Sequence, residues 1–208
     1  MNVLMIAAAP ETDYEYVKPL AQRADDNIGA DGGVRHAQAC GIQPDLVVGD
    51  FDSGSCPDFD VEVIRLKPEK DDTDLLSCTR EALRRGADTI TYVCASGGRI
   101  DHFLSNLSQL EFLYEHGRSG VFVDSRNRVT FHGGGTVTYP ADPAYKYVGI
   151  IPLDDKLTGL TLRGTKYVVT NAEVSRFEPY TTSNEPAAPE YSITIQRGRA
   201  LVIESKDK

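Results

Sequence analysis

The sequence predicts two domains of different class: an α/β domain with a mostly parallel, Rossmann-like sheet over residues 1–124, and a small all-β sandwich or barrel over residues 125–208. Three observations indicate this division. In the first part, short apolar segments that favour strands alternate with helical patterns, as they do in βαβ units. Beyond about residue 125 the helical periodicity disappears. From there on, Gly and Pro separate short segments that resemble strands.

In the first part, strands are expected over residues 3–8, 45–48, 61–66, 89–95 and 120–123. A helix is predicted in "DDTDLLSCTREALRRG", which has a capping Asp or Thr, internal leucines, arginines in its last turn and Gly86 as its end. A second helix is predicted in "SGGRIDHFLSNLSQLEFLYEHG", because its apolar residues recur at helical spacing until Gly117.

In the second part, four segments favour strands: "RVTFHGGGTVTYP", "YKYVGIIPL", "LTGLTLRGTKYVV" and "YSITIQRGRALVIES". The last of these alternates apolar and polar residues on both sides of "RGR", which predicts a hairpin. The sequence "HGGG" at residues 132–135 is interpreted as a turn between strands, with His132 at the surface.

Composition excludes several classes of protein. The net charge is −9 and no basic stripe is present, which argues against a partner that is nucleic acid. The longest apolar run is far too short to span a membrane, and the start of the chain lacks the basic region of a secretory signal, so we expect a cytoplasmic protein. The four cysteines (Cys40, Cys56, Cys78 and Cys94) occur singly, which predicts reduced thiols.

Acidic residues form four clusters, and most of them follow a predicted strand. The clusters are Asp31 in "ADGG", Asp50 and Asp52 in "GDFDS", Asp71, Asp72 and Asp74 in "KDDTD", and Asp101 in "GGRIDH". Because ligands bind at the carboxyl ends of strands in open α/β sheets, the clusters are expected to converge there.

Convergence of carboxylates has a physical cost. Two unit charges roughly 4 Å apart repel each other by about 4 kcal/mol at an effective dielectric constant near 20. A divalent cation removes that cost, and a set of oxygen ligands favours Mg²⁺. The alternative is that each Asp caps a helix or a turn, which is the more common role of a lone Asp.

A glycine-containing segment adds an anion site to this hypothesis. The backbone amides of "SGGR" precede a predicted helix, where they are placed to meet an anion beside Arg99. The sequence contains neither a P-loop motif nor the glycine spacing of a dinucleotide fingerprint.

With "ADGG", "PDLVVGDFDS", "KDDTD" and "GGRIDH" in this order, the chain resembles the thiamine pyrophosphokinase family. The segments "VGIIPL", "GLTLRGTKYVVTN" and "TTSNE" resemble the thiamine-associated β-domain of that family. The resemblance implies transfer of pyrophosphate from ATP to the hydroxyl group of thiamine, giving thiamine diphosphate and AMP with the help of Mg²⁺. It also implies a homodimer with active sites between subunits.

The resemblance implies a role for individual residues as well. Its metal ligands correspond to Asp50, Asp52 and Asp74, and Asp101 or Asp31 is expected to accept the hydroxyl proton. Thiamine is expected near Ser183 and Asn184. The residues expected to contact ATP are Gly32, Lys70, Asp71, Thr73, Gly98 and Arg99.

Some relatives place a Trp against the thiamine rings, whereas this chain has no Trp, so a Tyr or Phe is expected to supply the π face. Three other functions remain as alternatives. A pterin-alcohol pyrophosphokinase would share the acidic clusters but not "TTSNE", and a metal-dependent DxD glycosyltransferase would leave "KDDTD" and "GGRIDH" without a role. A non-catalytic thiamine-binding protein would need only the β-domain.

Overall fold

A computed structural model of the chain describes residues 1–51, 60–67, 72–178 and 180–207. Contacts between Cα atoms divide the chain into two compact units, Met1–Ser125 and Arg126–Lys208. Unit 1 combines helices with parallel strands, whereas the regular elements of unit 2 among the described residues are antiparallel strands. The coarse fold class predicted from the sequence, a mostly parallel sheet plus an antiparallel-sheet domain, is therefore confirmed.

Unit 1 alternates strands with helices along the chain, and a 3-10 turn, Asp31–Gly33, precedes its second helix. The elements are β1 (Asn2–Ile6), α1 (Val17–Ala21), β2 (Asp26–Ala30), α2 (Val34–Cys40), β3 (Leu46–Gly49), β4 (Glu62–Arg65), α3 (Asp74–Arg84), β5 (Thr89–Val93), α4 (Ile100–Glu115) and β6 (Ser119–Val123).

The strands of unit 1 are parallel and lie in the order β4, β3, β2, β1, β5, β6. The chain builds outward from β1 through β2, β3 and β4 on one side, and then continues with β5 and β6 on the other side. The reversal of direction therefore lies between β1 and β5. In open α/β sheets such a point opens a crevice at the carboxyl ends of the strands.

Helix α3, which the sequence predicted, is fixed to the sheet by polar contacts as well as apolar packing. The Thr79 hydroxyl donates to the Leu75 carbonyl at 2.8 Å and shares a second hydrogen bond of 2.9 Å with the hydroxyl of Tyr92 on β5. The Cys78 thiol lies 3.5 Å from the Val48 carbonyl oxygen on β3. These contacts hold the first turn of α3 near the carboxyl end of β3.

Strand β2 was not among the predicted strands. Its sequence, "DNIGA", begins with two polar residues, and only Ile28, Gly29 and Ala30 are buried. It forms a strand because β1 and β3 pair with it on both sides. Tertiary pairing here outweighs a weak local preference.

Unit 2 contains two antiparallel sheets. One has the order β7, β13, β9 and the other β11, β10, β12, β8. The strands are β7 (Asn127–His132), β8 (Gly135–Pro140), β9 (Tyr147–Pro152), β10 (Lys156–Arg163), β11 (Val169–Ser175), β12 (Glu190–Ile195) and β13 (Ala200–Ser205).

The predicted hairpin between the last two strands is wrong. Strand β12 pairs with β10 and β8, whereas β13 pairs with β7 and β9 in the other sheet. The alternating residues Tyr191, Ile193 and Ile195 of β12 face the same core as Ala200 and Val202 of β13. The "RGR" segment therefore carries the chain from one layer of a sandwich to the other.

The predicted surface position of His132 is also wrong. Its side chain is 1% exposed, at the end of β7. Nε2 lies 3.2 Å from the Ile193 carbonyl oxygen, and Nδ1 accepts the Gly134 N–H at 3.1 Å. Both contacts are satisfied by a neutral ring that carries its proton on Nε2, and burial lowers the pKa of His132.

Among the described residues, no helix is long and apolar enough to cross a membrane. Cys40, Cys78 and Cys94 are buried, and none of them forms a disulfide among the described residues. Cys56 lies outside the described residues.

Candidate active site

A cavity of about 700 Å³ opens at the carboxyl edge of the parallel sheet of unit 1. Its wall combines the chain that follows β1, the ends of β2 and β3, the start of α3, and the loop between β5 and α4. It thus lies at the point where the strand order reverses. The lining residues are Ala7–Pro10, Ala30, Asp31, Asp50, Asp72–Leu75, Gly97–Arg99, His102 and Asn106.

Three carboxylates from different elements meet in this cavity. One oxygen from each of Asp31, Asp50 and Asp74 lies within 4.8 Å of the other two, and all three residues are half-buried. The sequence predicted Asp50 and Asp74 as metal ligands, but placed Asp31 with the catalytic residues. The structure places Asp31 in the same group as the other two.

Asp31 reaches this position through an unusual backbone conformation. Its φ is +43°, a left-handed conformation that Asp tolerates better than most residues. Its Oδ1 accepts the backbone N–H of Phe51 at 3.2 Å. The end of β2 is therefore tied to the turn that follows β3, and Asp31 and Asp50 are brought side by side.

Asp74 enters the cavity from the first turn of α3. Thr73 caps this helix, with its hydroxyl accepting the Leu76 N–H at 3.2 Å. A carboxylate at this position is favoured by the partial positive charge of the helix N-terminus. Thr73, expected to contact ATP, lines the cavity and has this capping contact as well.

The loop between β5 and α4 forms another wall and is held at several points. Asn106 donates to the Ala95 carbonyl at 3.0 Å, and Ser96 donates to Asp124 at 2.8 Å. Gly98 has φ +67°, and a Cβ there would lie 2.8 Å from Pro10 Cδ, so both conformation and space require glycine. Gly98 and Arg99, two predicted ATP contacts, line the cavity at the start of α4.

Arg99 and Asp101 pair with each other. The Arg99 guanidinium donates to both carboxylate oxygens of Asp101, at 3.1 and 2.6 Å, and both side chains are exposed. This contact lowers the pKa of Asp101 to about 2. Asp101 is not among the residues that line the cavity, and neither is Gly32.

Several lining residues were not predicted as site residues: the Ala7–Pro10 segment, Ala30, Asp72, Leu75, Gly97, His102 and Asn106. Asp72 forms an ion pair with Arg80 at 3.1 Å, outside the three-carboxylate group. The run "AAAP" directly after the first strand was a usable signal, because small residues leave room for a ligand at a strand end. Asn106 had no such signal, since its position depends on how α4 packs.

Asp52, Lys70 and Asp71 lie outside the described residues and stay predictions.

In unit 2, the two residues predicted near thiamine differ in their surroundings. Ser183 is exposed and has φ +58°, whereas Asn184 is 5% exposed. Asn184 Oδ1 accepts the Tyr167 N–H at 3.0 Å, and its Nδ2 donates to the Tyr167 carbonyl at 2.8 Å. The Asn184 backbone also exchanges two hydrogen bonds with Val148. Asn184 thus holds the backbone of Tyr167, whose side chain is 59% exposed.

Comparisons with known proteins agree with the motif order. A profile of the thiamin pyrophosphokinase catalytic domain matches residues 17–121, and one of the thiamin pyrophosphokinase vitamin B1 binding domain matches residues 136–202. Over 193 residues the chain is 28% identical to the thiamine pyrophosphokinase of Bacillus subtilis (strain 168), with 86% of this chain and 87% of that protein covered.

Solved structures give the same result over the whole length of both chains. The crystal structure of thiamine pyrophosphokinase from Bacillus subtilis matches with a TM-score of 0.91 at 25% identity. A thiamin pyrophosphokinase family protein from Enterococcus faecalis matches with a TM-score of 0.85 at 31% identity. The chain belongs to the thiamin pyrophosphokinase family of enzymes.

Proposed function

We propose that this enzyme transfers pyrophosphate from ATP to the hydroxyl group of thiamine, with Mg²⁺ as the required metal, and releases thiamine diphosphate and AMP. One observation carries the proposal: Asp31, Asp50 and Asp74 converge in a cavity that also contains a glycine loop and the start of α4. Family membership supplies the two substrates, and the site supplies groups that suit a metal-bound triphosphate.

The donor set fits Mg²⁺. All three groups offer carboxylate oxygens, the ligands that Mg²⁺ prefers, and no His or Cys belongs to the group among the described residues. Carboxylates this close repel one another by about 3–4 kcal/mol per pair at an effective dielectric constant near 20. A bound cation removes this repulsion. Mg²⁺ held by these residues would neutralise charge on the phosphates and help to align them, and Asp52 is a further proposed ligand.

The phosphates of ATP are proposed to lie against the glycine loop. The N-terminus of α4 follows this loop, and its partial positive charge favours an anion. Arg99 is exposed and can exchange its contact with Asp101 for one with phosphate. The strand reversal beside this loop supports the description of the domain as Rossmann-like. Gly32, Lys70, Asp71 and Thr73 complete the proposed ATP contacts.

The reaction forms one bond and breaks one bond at the β-phosphorus of ATP. The thiamine hydroxyl oxygen attacks this atom, and the bond to the oxygen that bridges the α- and β-phosphates breaks, so that AMP leaves with that oxygen. The hydroxyl proton passes to a base. Asp101 and Asp31 are the two proposed bases, and Asp101 becomes more basic than it is in the ion pair when Arg99 turns to phosphate, since Arg99 is the main cause of its lowered pKa.

Thiamine is proposed to bind near Ser183 and Asn184 of unit 2. Because Asn184 is buried and holds the backbone of Tyr167, it is proposed to shape this surface, while the exposed Ser183 is placed to contact a ligand. Tyr167 is one aromatic side chain available to a cationic ring in the absence of Trp. A homodimer with active sites between subunits, and a cytoplasmic location, belong to the same proposal.

Product analysis tests the proposed activity. The enzyme is incubated with ATP, Mg²⁺ and thiamine, and the nucleotides are separated by chromatography, with and without EDTA. We expect AMP in equal amount to thiamine diphosphate, and none of either when EDTA is present. ADP with thiamine monophosphate as the products would contradict the proposal, as would undiminished turnover in EDTA.

A further inference from the structure

Gly49 is the last residue of β3 and stands immediately before Asp50. Strands β2 and β3 are paired in register, with Ala30 opposite Val48. One step further along both strands, Gly49 and Asp31 are therefore neighbours across the sheet. Gly49 is therefore next to Asp31, whose carboxylate lies close to those of Asp50 and Asp74.

The space at Gly49 is already filled by Asp31. A Cβ at position 49 would lie 2.8 Å from Cα of Asp31, 2.9 Å from its Cβ and 2.8 Å from its Oδ1. Carbon atoms in favourable contact are about 3.5–4.0 Å apart, so a methyl group here would displace Asp31 by roughly 0.6–1 Å. Two of the three close atoms belong to the backbone or to Cβ and cannot rotate away.

Gly49 is not required for its own backbone conformation. It does not belong to the glycines with positive φ, so an alanine could adopt its backbone angles without strain. What excludes a side chain is the close approach of Asp31. Phe51, two residues after Gly49, also contacts Asp31, because its N–H donates to Asp31 Oδ1 at 3.2 Å. The end of β3 thus contacts Asp31 both before and after Asp50.

We infer that Gly49 is a positioning residue for the proposed metal site: the absence of a side chain there lets the Asp31 carboxylate approach those of Asp50 and Asp74. This inference rests on the proposed function, because it assigns a purpose to the convergence of the three carboxylates. The role of Gly49 goes beyond the proposed function, because this residue would touch neither metal nor substrate and yet would set the geometry of the metal ligands.

Gly29 offers a matched control on the neighbouring strand. It also has an ordinary φ and lies in β2, but a Cβ there would first meet Cγ2 of Val34 at 3.3 Å, and no carboxylate is close. Gly29→Ala therefore adds the same methyl group to the same sheet without disturbing the acidic group. If Gly49→Ala loses metal binding and Gly29→Ala keeps it, the loss comes from an effect on Asp31 and not from a general effect on the sheet.

The test titrates the metal-free protein with Mn²⁺ and follows unbound Mn²⁺ by electron paramagnetic resonance, so that the readout does not depend on turnover. We expect the dissociation constant of Gly49→Ala to rise by about tenfold or more, a size typical of residues that orient metal ligands. Gly29→Ala should bind Mn²⁺ as the unsubstituted protein does. Equal binding by Gly49→Ala and the unsubstituted protein would overturn the inference.

A double variant keeps the inference testable if Gly49→Ala alone does not fold. Asp31→Gly removes Cβ and Oδ1, two of the three atoms that the new methyl group meets, and leaves Cα; glycine also accepts the left-handed conformation at position 31. We expect Gly49→Ala to shift the urea midpoint less in the Asp31→Gly background than in the native one, or to regain a folded state there. An equal shift in both backgrounds would contradict the inference.

Failure of the proposed metal site gives a different result. If the unsubstituted protein binds no Mn²⁺, the metal proposal is overturned and Gly49 cannot position ligands for it. If the unsubstituted protein binds Mn²⁺ and Gly49→Ala binds it equally well, the metal site stands and only the role of Gly49 is rejected.

Discussion

A substitution at Asp50 tests the proposed metal site. Substitution by Asn keeps the shape of the side chain but removes one negative charge from the group of three carboxylates. We expect Asp50→Asn to lower kcat by about 100-fold or more, because a neutral amide is a poor ligand for Mg²⁺. The free energy of unfolding should stay the same or rise slightly, since the substitution relieves repulsion among the carboxylates.

Asp72→Asn is the control for Asp50→Asn. It removes the same charge from the same cavity, but Asp72 pairs with Arg80 and is not part of the group. The Mg²⁺ dependence of the rate and the urea unfolding curve are measured on both variants. Equal loss of activity in the two variants would mean that overall charge matters, and not the three converging carboxylates.

The buried side chain of His132 is expected to make the free energy of unfolding depend on pH. Because burial lowers its pKa in the folded state, the unfolded chain, where His has a pKa of about 6.5, binds the proton more tightly. The stability that neutral His132 contributes is therefore present above pH 6.5 and is lost as pH falls below about 6.5. Protonation of His132 would also convert Nδ1 from an acceptor into a second ring N–H, which would face the Gly134 N–H.

Urea unfolding between pH 7.5 and pH 5 measures this contribution. We expect the free energy of unfolding to fall over this range, and the fall to be smaller in His132→Gln, which cannot take up the proton. The other titrating groups are common to both proteins and cancel in the difference. Parallel curves for the two proteins would show that His132 does not titrate in this way.

At the scale of elements, the predicted structure is most accurate where a local pattern is strong. Helices α3 and α4 were predicted because each has a capping signal or a sustained apolar period, and both are confirmed. Strand β2 has too few apolar residues to stand out, and its neighbours make it a strand. The hairpin was wrong because alternation shows which face of a strand is buried but not which strand is its partner.

Thr73 connects the first turn of α3 to the site, and its capping role can be measured. Thr73→Ala removes the acceptor for the Leu76 N–H, so the free energy of unfolding should fall by about 0.5–2 kcal/mol. Thr73→Ser keeps the hydroxyl and should retain most of that stability. Urea unfolding of the three proteins provides the comparison.

The same Thr73 variants also test whether this residue contacts ATP. If capping is its whole role, the KM for ATP should change little in Thr73→Ala under conditions where the protein is fully folded. If the hydroxyl contacts ATP, this KM should rise in Thr73→Ala and recover in Thr73→Ser. Unchanged stability of Thr73→Ala would contradict the capping role.

In the whole molecule, the predicted convergence of acidic clusters holds for Asp31, Asp50 and Asp74, whereas Asp101 does not line the cavity. The order of strands and motifs was enough to place Asp50 and Asp74 at one edge of a sheet. Convergence of Asp31 with Asp50 and Asp74 was expected, but the contact of Asn184 with Tyr167 and that of Asp31 with the Phe51 N–H were not predicted. They depend on side-chain packing between segments far apart in sequence, for which a single sequence carries no periodic signal.

The proposed reaction moves a whole pyrophosphoryl group from ATP to thiamine in one step. The most direct test uses ATP labelled with ³²P at either the β- or the γ-phosphate, incubated separately with the enzyme, Mg²⁺ and thiamine. Because the proposed attack is on the β-phosphorus, we predict that both labels appear in thiamine diphosphate in equal yield and that neither remains in AMP. Transfer of the γ-label alone, with the β-label retained in ADP, would contradict the transfer of pyrophosphate.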